Sequence, residues 1–68
     1  MSNIKIGDLV YVQHDLYKNI KGLAIVLNYH KEEDKYVCEL VENYDIIRVS
    51  SGNTMRIHPI LGKLWRLT

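Results

Sequence analysis

The chain has 68 residues, nine basic and eight acidic side chains, a formal net charge of +1 and a hydrophobic share of 47%. A chain this short holds one domain spanning residues 1–68, and folding removes only about 60% of its unfolded surface from water, so the core is small and the loops are short. The composition excludes a disordered tail, the apolar runs fall short of the ~20 residues that span a bilayer, and the near-neutral balance lacks an overall basic footprint for nucleic acid.

In chain order, the turn pair Gly7-Asp8 leads into a first predicted strand, residues 9–13 (Leu-Val-Tyr-Val-Gln). Alternation puts Val10 and Val12 on one face and Leu9 and Tyr11 on the other. Residues 15–21 hold at most one helical turn, which Asp15 would cap and Gly22 would end; an irregular loop is the alternative. The second strand, residues 23–29, is apolar on both faces, as expected of a bent strand shared between two packed layers. The polar run His30-Lys31-Glu32-Glu33-Asp34-Lys35 reads as a solvated hairpin loop whose charges keep sheet edges apart. A third strand over residues 36–41 carries Tyr36, Cys38 and Leu40 on one face and Val37, Glu39 and Val41 on the other. Residues 46–49 and 54–57 flank Ser50-Ser51-Gly52-Asn53, where Gly52 and Asn53 tolerate the positive φ of a tight hairpin. A further turn is expected at His58-Pro59-Ile60, a single helical turn is allowed over 59–63, and Leu64-Trp65-Arg66-Leu67 forms a last apolar segment. Short runs at roughly ten-residue spacing predict a small all-β sandwich or barrel.

Ile6-Gly7-Asp8-Leu9-Val10-Tyr11-Val12, a variable loop, and then Lys21-Gly22-Leu23-Ala24-Ile25-Val26 resemble the opening of small barrels of the Src-homology-three, Tudor and KOW type. Short bacteriophage proteins and the PsaE-type subunit of photosystem I look similar. The resemblance covers most of the chain and implies a single barrel of five or six strands with one or two single-turn helices at most. Its motifs specify a fold rather than one protein. The chain departs from the KOW pattern in having fewer glycines and a less basic loop at Lys18-Asn19-Ile20-Lys21, and from the PsaE-type pattern in having Tyr11 and Gln13 in the first strand.

Candidate chemistry is sparse. His14, His30, Cys38 and His58 lack the spacing of a zinc site, so no metal is expected. Ser50, Ser51, Asp45 and His58 supply the residue types of a nucleophilic triad without its frame. The four glycines, at positions 7, 22, 52 and 62, follow no phosphate-binding pattern. No cofactor or small-molecule substrate and no enzymatic activity are expected. The single cysteine, Cys38, reads as a small buried hydrophobe, and no intrachain disulfide is available to staple the fold. That lone thiol, together with an N-terminus lacking an apolar signal segment, suggests the cytoplasm, with no membrane involvement.

Charge and aromatics are more telling. Residues 1–31 carry a net +2, residues 32–45 a net −5, and residues 46–68 a net +4 with no acid at all. Arg48 and Arg56, on strands joined by the Ser50–Asn53 turn, are expected to share a face and, with Trp65 and Arg66, to make a basic surface with an aromatic. Five tyrosines without a phenylalanine suit half-buried and interfacial positions. Tyr11, Tyr29, Tyr36 and Tyr44 could gather on one flank; in Tudor-type barrels such aromatics cage methylated side chains. The expected function is a non-enzymatic protein-binding module with Tyr11, Tyr17, Arg48, Arg56, Trp65 and Arg66 at the contact. The resemblance suggests a phage-encoded accessory protein that joins the virion or redirects a host complex. The alternative is phosphate-backbone binding through Lys18, Lys21, Arg48, Arg56 and Lys63.

Overall fold

The computed structural model describes residues 4–57. Five strands are formed: β1 (Leu9–Gln13), β2 (Lys21–His30), β3 (Lys35–Leu40), β4 (Ile46–Ser50) and β5 (Thr54–Arg56). They build one antiparallel sheet in the order β4-β3-β2-β1-β5, with a 3-10 turn at Ser51–Asn53 and no α-helix among the described residues. The all-β expectation therefore holds. Residues 15–20 form bends and turns rather than a capped helix. The predicted sixth segment, 64–67, and the turn at His58 lie outside the described residues.

Alternation in β1 and β3 builds the core. Val10 and Val12 face inward from β1, Ala24 and Val26 from β2, Tyr36, Cys38 and Leu40 from β3, and Val49 from β4, with Ile4, Ile20 and Ile47 packed against them. The largest side chains below 2% exposure are valines and Cys38. The core thus depends on close packing of small, stiff side chains, each contributing about 1.5–3 kcal/mol on full burial.

β2 carries a bulge between Val26 and Asn28. Before it, the even positions Ala24 and Val26 point inward; after it, Tyr29 pairs with Tyr36 and stacks on it at a ring separation of 4.7 Å. One extra residue reverses the alternation, which is why β2 reads as apolar on both faces. The Asn28 side chain accepts the Tyr29 N–H at 2.8 Å, satisfying an amide displaced by the bulge.

The connection from β4 to β5 decides the overall form. Gly52 and Asn53 do not take up the positive φ of a hairpin; among the described residues that conformation falls on Gly7, Gly22, Asp34 and Tyr44. β4 and β5 do not pair but lie at opposite ends of the strand order, although Ser50 and Thr54 are separated only by the 3-10 turn. In a flat sheet the two edges would stand ~19 Å apart, whereas the chain from Ser50 to Thr54 reaches at most ~14 Å. The sheet therefore coils until its edges meet at this turn, while its hydrogen bonding stays open.

Candidate contact surface

The outward face of the sheet carries an apolar band among its charged positions. β1 pairs Leu9 with Ile25 and Tyr11 with Leu23, and β5 places Met55 on the other side of Tyr11. The row continues from Ile25 to Glu39 on β3 and Ile46 on β4. Tyr11 is 38% exposed, Met55 51% and Ile46 63%. Lys21, Lys35, Glu39 and Arg48 are charges that the same register places on this face. Leu9, Leu23, Ile25 and Met55 were not among the residues expected at the contact, because their grouping around Tyr11 depends on cross-strand register.

Met55 also lines a cleft of about 880 Å³ at the seam of the coiled sheet, together with Ile6, Val26, Tyr29, Tyr36 and Arg56. This cleft reaches core residues: Val26 is 1% and Tyr36 4% exposed. Outer band and cleft thus meet at Met55.

Two carboxylates hold the seam. Asp15 accepts the Ser50 hydroxyl at 2.6 Å, the Ser50 N–H at 3.1 Å and the Asn53 side-chain amide at 2.8 Å, with Lys35 Nζ at 3.8 Å. The Ser50 hydroxyl, against the opposing cost of burial and with help from Asn53, the Ser50 amide and Lys35, holds its carboxyl at about 2 rather than the usual 3.8. Asp34 accepts the Ser51 hydroxyl and the Tyr29 hydroxyl, each at 2.6 Å. These bonds lower the Asp34 carboxyl and raise the Tyr29 phenol. Asp15 is therefore not a helix cap, and Asp34 does more than keep a loop wet. The Ser50 and Ser51 hydroxyls donate hydrogen bonds to these carboxylates, and Asp45 accepts the Leu40 N–H through its backbone carbonyl.

The other selected residues separate. Arg48 sits on the outer face opposite Val37 and pairs with Glu33 at 3.2 Å, both about half exposed. Arg56 is on β5 opposite buried Val10. The expected shared face of Arg48 and Arg56 is corrected: Arg48 shares the outer face with Val37, whereas Arg56 stands opposite inward-facing Val10 and lines the cleft. Lys18 lies in the β1–β2 loop and Lys21 at the start of β2, away from either arginine's strand. Tyr17 is exposed in the β1–β2 loop, 5.0 Å from the His14 ring. Tyr29 and Tyr36 come together, while Tyr11 and Tyr44 join no ring pair among the described residues. Lys63, Trp65 and Arg66 lie outside the described residues.

Cys38 is fully buried and its thiol is pushed up to about 11 by desolvation. Among the described residues no three His, Cys, Asp or Glu side chains group as metal ligands, and no helix is long and apolar enough to cross a membrane. No protein family, curated protein or solved structure matches the chain.

Proposed function

We propose that this chain is a Src-homology-three-like barrel acting as a non-enzymatic protein-binding module, with Tyr11 at the centre of its contact surface. The coiled sheet and the 3-10 turn before β5 support the barrel reading. The apolar outer band supports the binding reading: Tyr11 stands between Leu23 and Met55, directly paired with both. An exposed apolar band rimmed by charge is the usual mark of a protein contact. We assign Tyr17 and Arg48 to its periphery and Arg56 to the adjoining cleft, and an acidic partner suits the two arginines. A phage accessory role in the host cytoplasm or the virion is the biological setting that the sequence resemblance suggests.

The test is differential capture from the natural host. Tyr11→Glu combined with Met55→Glu should abolish recovery of a partner that the wild type and a Lys31→Glu control both retain, with circular dichroism unchanged. Equal recovery by all three would remove the assigned surface. A partner lost with a steep log–log salt dependence and identified as nucleic acid would replace this reading with phosphate-backbone binding.

A further inference from the structure

We propose that His14 is a protonation switch controlling how Leu16 and Tyr17 are presented by the β1–β2 loop. The imidazole Nδ1 accepts two backbone hydrogen bonds, from the Leu16 N–H at 3.0 Å and the Tyr17 N–H at 3.2 Å. These donors fix the ring orientation, since the flipped ring would turn a C–H toward both amides. Nδ1 must therefore carry its lone pair, leaving the ring proton on Nε2. An imidazolium has an N–H at both nitrogens. Protonation would thus set a third donor against the two amide donors, and the turn would lose the acceptor that closes it.

The surroundings confine the effect. The loop base is held on one side by the His14 N–H to the Ile20 carbonyl at 2.8 Å, and Ile20 N–H bonds the Tyr17 carbonyl at 2.9 Å. Asp15, next in the chain, is fixed to Ser50, Asn53 and Lys35. The Leu16 and Tyr17 amides are thus the part of the loop held by the imidazole, at a tip where Leu16 is 77% and Tyr17 59% exposed. The Tyr17 ring stands 5.0 Å from the imidazole at an interplanar angle of 43°, so its presentation is coupled to the state of that ring. The charged groups beside it in the loop are Asp15, whose carboxylate is turned to Ser50, Asn53 and Lys35, and Lys18.

Histidine is the side chain suited to such a switch under physiological conditions. The consequence for binding rests on placing Tyr17 at the contact periphery. The switch itself is a property of the free chain and is measured there.

Nuclear magnetic resonance on the purified full chain tests it. Ring nitrogen shifts of His14 should report the Nε2–H tautomer before protonation. The exchange protection factors of the Leu16 and Tyr17 amides should fall about tenfold as His14 protonates, following its own titration curve rather than that of His30. His14→Asn offers an Oδ1 acceptor in place of Nδ1 without titrating, so both amides should stay protected across the range. His14→Ala should leave them unprotected throughout, with the β1 and β3 core amides unchanged. Constant protection while His14 protonates would overturn the switch, as would an identical fall in His14→Asn, which decides the matter even if His14→Ala fails to fold. Either failure leaves the Tyr11 surface standing, because the capture experiment tests that separately.

Discussion

Asp15 and Ser50, 35 residues apart in sequence, are joined by two different bonds: the Asp15 carboxylate accepts the Ser50 hydroxyl at 2.6 Å and its backbone N–H at 3.1 Å. This pair ties the β1–β2 loop to the end of edge strand β4. It also occupies an outward-facing N–H of that edge, while Thr54 Oγ1 donates to the Ser50 carbonyl at 3.0 Å. The end of β4 is thereby closed to pairing with another chain.

Asp15→Asn should lower stability by about 1–3 kcal/mol, because hydrogen bonds to a charged acceptor are lost and the new amide group faces donors. Urea unfolding would read this as a lower midpoint with an unchanged slope. Ser50→Ala removes the shorter bond, and the double variant should show a coupling of at least about 0.5 kcal/mol. Strict additivity would mean that the two side chains do not stabilise each other.

Acid should loosen the seam in a defined window. The folded Asp15 carboxyl titrates near 2 and its ordinary value is 3.8, so the unfolded chain binds the proton first as pH falls. The stabilisation is complete above about pH 4 and disappears as pH drops toward 2. The side chain is 20% exposed, and after solvent screening the contribution is about 1–2 kcal/mol. Asp34 acts in the same direction. The stability difference between wild type and Asp15→Asn should therefore shrink across this window; a constant difference at pH 2 would refute it.

Tyr44 sits at φ 64 and is 75% exposed. Left-handed backbone costs an L-residue about 1–2 kcal/mol, and asparagine tolerates it better than most. Tyr44→Asn should raise stability by about 0.5–1 kcal/mol, whereas Tyr44→Val should lower it by a similar amount or more. Thermal unfolding of the two variants checks the opposite signs.

Cys38 should resist a thiol reagent at pH 8 in the native protein and react stoichiometrically in urea. Its thiol stands near 11 and is inaccessible, and only the thiolate is nucleophilic. Rapid native modification would show that β3 opens readily.

Much of the fold is legible without coordinates. The alternation of residues 9–13 coincides with β1, and the face Tyr36, Cys38, Leu40 is buried as expected. The candidate surface is half legible. Tyr11 and Tyr17 are exposed, yet the apolar neighbours that give Tyr11 its setting come from β2 and β5, and cross-strand register is not written in any single strand. Ser50-Ser51-Gly52-Asn53 misleads for a definite reason. Its composition suits a hairpin, but two distant carboxylates, Asp15 and Asp34, offer its hydroxyls partners and hold it as a 3-10 crossing instead.

Length, alternation and turn residues by themselves determine a small all-β domain, because strand period and turn chemistry act over a few residues. The segregation of charge along the chain is also present in the sequence, as an acidic middle and an acid-free final third. Where those charges meet is a tertiary matter. The folded sheet spends Asp15 and Asp34 on the seam, pairs Glu33 with Arg48, and sets Arg56 opposite inward-facing Val10. The reason is geometric: a connection of three residues can join two sheet edges only if the sheet bends to bring them together.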